Sequence, residues 1–527
     1  MFHPPFLRLF LLLSLVCGQP LSQVELLADP KGSQETSAIA SSSATDQVVT
    51  EWIVRQEGHE LRYEAVASLT PLLDDKGSVE AALSSFSYWL LEIDGIAVDR
   101  SSRPVTFCFN GGPGSSSAWL HLGAFGPKRI AGLSGANATL VPPYELEDNP
   151  FHLLKTTDLV FIDPVSTGWS RAIGGVDASR FHNAEADVAS IGQFIERHLR
   201  RWQLWQRPKF LMGESYGGFR MIDLALYLRY KSGIELNGMI AISPLFDYAV
   251  LHRGRENASN LTFVLQLPSY AAIAWHEGRL SDPLQALSLP ELLSEAEEFA
   301  FGPYATALLQ GDRLPEKSYR ALIDQLHRWT GLPFSLLERQ RGRISPSLFR
   351  KELLATRGKS LGRMDMRWLA LDPGQGEELA DPSLHGLIGA FTAVAESYFS
   401  EGLQAASLWK SGVERPFYEV LFAIPAWSFG RAGENQLASV TPALRRLLME
   451  NSRLTLFTAA GIYDLAIPYL TPRYSLDQLM LPTATRSQLY YKSYASGHMI
   501  YFDEKVHRQL LEDLVDYYRL ATIGDRE

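Results

Sequence analysis

The stretch Met212–Gly218, MGESYGG, sets a hydroxyl, Ser215, directly after a carboxylate, Glu214, among three glycines. A serine hydroxyl is a weak nucleophile until a base takes its proton. Gly-x-Ser-x-Gly alone is often a plain turn, and it becomes a nucleophile elbow when a strand leads in and a helix leads out. That context is present: Lys209–Met212 reads as a strand and Gly217–Tyr230 as a helix. Gly213 and Gly217 allow the sharp turn that would leave Ser215 exposed at its tip.

A base and an orienting carboxylate must follow Ser215 in the chain order Ser, Asp, His. Of the later histidines, His498 is best placed, in a loop after the strand Gln488–Tyr494. His507 falls inside the closing helix Glu504–Leu520 and is expected at the surface. The acid should end the preceding strand, Leu454–Ala459, and the chain runs from there through Ala460-Gly461-Ile462-Tyr463 to Asp464. Asp477 lies far into a connecting segment and Asp503 opens a helix, where aspartate is common for capping. An oxyanion needs two backbone N–H groups, one from the residue after the nucleophile, Tyr216, and one from an earlier glycine loop. Asn110-Gly111-Gly112-Pro113-Gly114, after the strand Val105–Phe109, is that loop. A plain Gly-rich turn is its other reading, and a phosphate loop fails because no GK[ST] follows.

These residues must be positioned by a sizeable core. The chain has 527 residues, 46% apolar and 20% charged, with a formal charge of −10 and no dense basic block, which argues against nucleic acid as a partner. Apolar strands ending in Gly- or Asp-rich loops, each followed by a helical stretch, argue for a mostly parallel sheet with helices on both faces. The helix from Ala184 carries Val188, Ile191, Ile195 and Leu199 on one face. His59–Ala67 and Ser84–Ile93 read as antiparallel strands joined by a turn at Asp74–Gly77.

The expected organisation is a signal peptide over 1–18, a flexible leader over 19–47, a first core part over 48–246, a helical cap over 247–441 and a second core part over 442–527. The apolar run from Leu9 to Cys17 has the length of a signal-peptide core and is too short to span a bilayer. Cleavage after Gly18 is expected ahead of lipidation at Cys17, so the protein should be exported without stable membrane insertion. Cleavage leaves Cys108 as the one thiol, which excludes an internal disulfide and a multi-cysteine metal site. Asn137, Asn257 and Asn260 open glycosylation sequons. Within the cap, the basic run Arg339–Arg367 reads as a solvated helical face or, more sharply, as a field drawing anionic substrate ends.

The chain resembles the serine carboxypeptidases of the carboxypeptidase Y type. The resemblance runs from about Pro104 to the C terminus and rests on FNGGPGSSS with GAFGP, FIDPVSTGWS, GESYGG, GIYDLAIP and SGHMIYF in the family's order. It implies an α/β-hydrolase fold and a triad of Ser215, Asp464 and His498. It further implies an oxyanion hole from Gly112 and Tyr216, and a site for the C-terminal carboxylate of a peptide from Asn110, Gly111 and Glu214. No metal or other cofactor is implied. The departures are Cys108 and Ser115 where the family commonly has Trp and Cys, Ala124 where it has Glu, and a shortened segment at Asp163–Ser170. They mark a divergent branch, with a bacterial source left open. An esterase or acyltransferase using the same triad is the alternative, and a silent binding protein the third reading. The pairing of Asn110 with Glu214 favours a substrate with a free carboxylate.

Overall fold

The structure is a computed structural model and describes residues 46–135, 140–251, 259–372, 381–384, 386–409, 415–422, 424, 427–428 and 438–523. The expected signal peptide, nearly all of the leader, Cys17, and the sequons at Asn137 and Asn257 lie outside the described residues. Asn260 is described, and its amide nitrogen donates to the Leu308 carbonyl (2.9 Å).

Nine strands form the spine of the main sheet: β1 (Asp46–Gln56), β2 (His59–Leu73), β3 (Val79–Ile93), β4 (Val105–Phe109), β5 (Asp158–Ile162), β6 (Lys209–Glu214), β7 (Gly238–Ile242), β8 (Thr455–Gly461) and β9 (Leu489–Tyr494). Their order in space is β1-β2-β3-β5-β4-β6-β7-β8-β9, with two short strands on β3. The first three are antiparallel, and β3 meets β5 antiparallel. From β5 to β9 every pairing is parallel. The turn between β2 and β3 closes where Asp74 Oδ1 accepts from the N–H groups of Lys76 and Ser78.

Strands β4 to β7 are buried along their whole length, which is why they read as unbroken apolar runs. Helices cover both faces. Helix α1 (Ala184–Arg201) is capped by the Asn183 side chain, which accepts from the Ala186 N–H (2.9 Å), and buries Val188, Ile191, Ile195 and Leu199. Helix α2 (Tyr216–Ser232) follows the elbow and ends at Gly233 in the left-handed conformation. Both pack on one face, in a core with Phe107, Phe109, Leu211 and Met239. The other face is filled from Trp119–Phe125 and from the closing helix, through Leu510, Leu514, Tyr517 and Tyr518. This arrangement is the α/β-hydrolase fold.

Strands β7 and β8 are neighbours, Gly238 opposite Thr455, although the long insertion lies between them in sequence. The insertion divides between two packing environments. Its first part, with α3 (Leu261–His276) and α4 (Glu316–Thr330), builds its own core together with Ala460, Ile462, Tyr463 and Leu465. Its later part, with α5 (Leu387–Ser397), joins the main core, where Phe391 lies 4.3 Å from Trp119 between ring centroids.

The basic run is not a uniformly solvated face. Arg350 and Arg363 are buried, and Arg367 is ion-paired to Asp365 (2.7 Å) and Asp503 (3.4 Å). His507, expected at the surface, is buried instead. Its ring sits 4.5 Å from that of Phe151 and 5.7 Å from that of Phe125, and burial pushes its pKa down to about 3. Among the described residues, no helix is long and apolar enough to cross a membrane.

Candidate active site

Ser215 stands between β6 and α2 with φ 60° and ψ −125°, a conformation that a non-glycine residue holds only when its surroundings force it. Those surroundings are close. A side chain on Gly213 would meet the Gly217 carbonyl oxygen at 2.2 Å, so the turn admits only glycine there. The Ser215 N–H donates to the Ile242 carbonyl (3.0 Å), and the next residue, Ser243, donates through Oγ to the His498 carbonyl (2.8 Å). The serine and the histidine loop thus hang from adjacent residues at the carboxyl end of β7.

His498 and Asp464 are both buried, and Nδ1 of the ring lies 2.6 Å from Asp464 Oδ2. The other carboxylate oxygen, Oδ1, accepts from the N–H groups of Ala466 (2.7 Å) and Ile467 (3.0 Å), which fixes its orientation. With Nδ1 carrying the proton toward Asp464, Nε2 presents the basic lone pair. Burial disfavours the imidazolium, but the Asp464 charge, its hydrogen bond and Glu214 outweigh it and raise the His498 pKa. Burial also pushes the Asp464 carboxyl up, against the opposing pull of His498.

Glu214 is buried beside Ser215. Its Oε2 accepts from Asn110 Nδ2 (2.9 Å) and from the Tyr501 hydroxyl (2.8 Å). Its Oε1 makes no hydrogen bond with a described residue. Burial raises the Glu214 pKa to about 7 against the pull of His498, Tyr501 and Asn110. Asn110 is held from both sides: its Oδ1 accepts from the Leu120 N–H (3.0 Å), and its carbonyl accepts from Arg220 (2.6 Å). The neighbouring Gly111 lies so close to the elbow that a side chain there would come within 2.5 Å of the Tyr216 nitrogen. Gly112 follows with φ +102°, and Tyr216 is the first residue of α2, where N–H groups point out of the helix.

Several residues that shape the site were not singled out from the sequence. Tyr501 follows His498 by three positions and gives Glu214 its second donor. Arg220 and Asp187 form a buried ion pair (2.6 Å), and Asp187 also accepts from the Tyr216 hydroxyl (3.1 Å). The pair ties Tyr216 to Asn110 through Arg220. A signal for it existed: Asp187 precedes Ile191 by four residues and so interrupts the apolar stripe of α1. Asp163, after β5, accepts from the Ser117 N–H (2.9 Å), Ser84 Oγ (2.8 Å) and the Tyr418 hydroxyl (3.1 Å), and burial raises its pKa to about 6. Ala124 is buried without any exposed surface, and its carbonyl accepts from Asn149 (2.6 Å). Cys108 is a buried free thiol whose pKa burial pushes up.

The family model described as serine carboxypeptidase matches residues 77–269, which include Asn110, Gly111, Gly112, Glu214, Ser215 and Tyr216. The chain resembles the serine carboxypeptidases. Serine carboxypeptidase-like 44 of Arabidopsis thaliana is 29% identical over 219 residues, 39% of this chain and 39% of the relative. Serine carboxypeptidase-like 33 of the same plant is 28% identical over 172 residues, 31% of this chain and 34% of the relative. The chain thus matches little more than a third of the length of these curated relatives. A crystal structure of Kex1(delta)p, a prohormone-processing carboxypeptidase from Saccharomyces cerevisiae, superposes with a TM-score of 0.51 at 18% identity, over 86% of this chain and 91% of that one. The likeness to that structure is one of fold. Asp464 and His498 lie outside the residues the family model matches, so their pairing rests on the geometry above.

Proposed function

We propose that this chain is an exported serine carboxypeptidase, which releases the C-terminal residue of peptides through an acyl-enzyme on Ser215. The observation that carries the reading is the state of Glu214. It is a buried carboxyl beside the nucleophile, with a pKa raised to about 7, one oxygen held by Asn110 and Tyr501, and the other without a partner among the described residues. In its protonated form such a group donates a hydrogen bond to a substrate carboxylate, the two sharing a proton. An ester without a free carboxylate has no use for it. Asn110 and Gly111 complete the carboxylate site in this reading.

Ser215 Oγ attacks the carbonyl carbon of the last peptide bond while its proton passes to His498 Nε2, and Asp464 holds the imidazolium without taking the proton. The N–H groups of Gly112 and Tyr216 stabilise the oxyanion. Collapse breaks the C–N bond, and the leaving amine takes the proton from His498 and departs as an amino acid. Water then attacks the acyl ester with His498 as base, which restores Ser215 and frees the shortened peptide. Export rests on the apolar run Leu9–Cys17 and the leader behind it.

The test is incubation with a blocked dipeptide and with its C-terminal amide, followed by product analysis and kcat/KM against pH. The free acid should be cleaved in preference to the amide, most strongly in mild acid, where Glu214 is protonated. Equal cleavage of both, or turnover confined to esters, would make the esterase or acyltransferase the better account.

A further inference from the structure

The segment Arg363–Met366 of the insertion threads between the loops that carry Asp464 and His498. The Leu465 N–H donates to the Arg363 carbonyl (3.0 Å), the His498 N–H to the Met364 carbonyl (2.6 Å), and the Met366 N–H to the Tyr463 carbonyl (3.0 Å). The Arg363 N–H donates in turn to Asp381 Oδ1 (2.8 Å). Its backbone is therefore fixed against both loops.

The side chain has no such partner among the described residues. Six described arginines are buried: Arg103, Arg129, Arg207, Arg220, Arg350 and Arg363. The first five each face a carboxylate within 4.0 Å. Arg363 is 7% exposed, and its guanidinium makes no hydrogen bond or ion pair with any described residue. Burying an ion without a counter-charge is unfavourable unless water or a ligand completes it. The guanidinium is thus left for a group that the described residues do not supply. Its place is beside the base, since the carbonyls of Arg363 and Met364 accept from the N–H groups of Leu465 and His498.

A guanidinium offers paired donors whose geometry matches a carboxylate. The C-terminal carboxylate of the substrate is taken by Asn110 and Glu214 in the reading above, so the cation is left for a second one. We propose that Arg363 binds the acidic side chain of a residue flanking the scissile bond, and gives this chain a preference for Asp or Glu at that place. The inference rests on the peptidase reading.

The experiment compares kcat/KM for blocked dipeptides that carry Glu or Gln on either side of the scissile bond, using the wild type, Arg363→Gln and Arg363→Lys. The wild type should prefer Glu over Gln at least tenfold at one of the two positions, and the preference should shrink as salt is raised. Arg363→Gln should bring the ratio near one, mainly through KM, and Arg363→Lys should keep part of it. The salt series needs no variant and so holds even if Arg363→Gln folds poorly. A wild type that cleaves dipeptides without this preference, or a preference that survives Arg363→Gln, would overturn the inference alone. A parallel fall on Glu and Gln substrates with the ratio kept would make Arg363 a support for the His498 loop, and overturn it too. Failure of the wild type to cleave any blocked dipeptide would instead remove the peptidase reading, and this inference with it.

Discussion

The Tyr501 hydroxyl donates a 2.8 Å hydrogen bond to Glu214, from a residue only three positions beyond His498. The loop that carries His498, the proposed base, therefore also brings the donor that holds Glu214. Because the bond favours the charged carboxylate, Tyr501→Phe should raise the Glu214 pKa above about 7. Cleavage of free-acid dipeptides should persist to higher pH than in the wild type. Its maximal kcat/KM should fall by roughly five- to tenfold for the lost hydrogen bond. The amide should change little. A pH profile that Tyr501→Phe leaves in place would deny Tyr501 this part.

Glu214 should also be visible in stability. Its folded pKa, about 7, lies above the ordinary carboxylate value, so the native state holds a proton that the unfolded chain has released between pH 4.5 and 7. Stability from this group is present in acid and lost as pH rises through that window. Glu214→Gln, which has no proton to lose, should therefore gain on the wild type by roughly 3 kcal/mol between pH 4.5 and 8. Urea unfolding of both proteins at the two pH values measures it.

Ser215→Ala and His498→Ala should each abolish nearly all turnover, by about 10⁴- to 10⁶-fold in kcat, and the double variant should lose little more. Asp464→Asn should be severe but milder. Its carboxylate accepts from Ala466 and Ile467 as well as facing His498, so the asparagine can keep part of the loop while presenting the wrong group to the ring. Substantial activity in His498→Ala would remove His498 as the base.

His507 titrates the other way. Burial holds its pKa at about 3, as it does for His152 and His198, so the unfolded chain binds protons that the folded one refuses between pH 6.5 and 3. Stability from these rings is complete above pH 6.5 and is lost as pH falls. Each adds a slope of about 1.4 kcal/mol per pH unit inside the window. His507→Leu should flatten the acid side of the stability curve by about that amount. An unchanged slope would mean that the ring is protonated in place.

How much of this was legible in sequence depended on how local the signal was. The elbow at Ser215 could be read because strand, turn and helix lie within a few residues, and Gly213 is demanded by contacts inside the turn. The strand end that carries Asp464 could be read because a parallel strand buried on both faces is a continuous apolar run, while β9 before His498 is a half-exposed edge strand whose aromatic residues favour a strand. His507 could not, because helical periodicity counts a histidine as polar and does not see Phe151 and Phe125, which close over it from distant parts of the chain. Arg363 was visible only as one charge in a basic run. Whether a given arginine meets a carboxylate is decided by long-range packing, as the contrast between Arg350 and Arg363 shows. The insertion read as one helical cap because periodicity reports what a segment is and not which neighbour it covers.

The pairing of β7 with β8 across the insertion also sets a timetable. Ser215 and its elbow leave the ribosome 249 residues before Asp464 and 283 before His498. Through that interval the growing chain has Ser215 without Asp464 or His498, and β7 lacks β8, its neighbour in the sheet. A chain interrupted anywhere in the insertion would lack the proton acceptor that the proposed mechanism requires. On the proposed triad, the order of synthesis keeps Ser215 inert until His498 has been made.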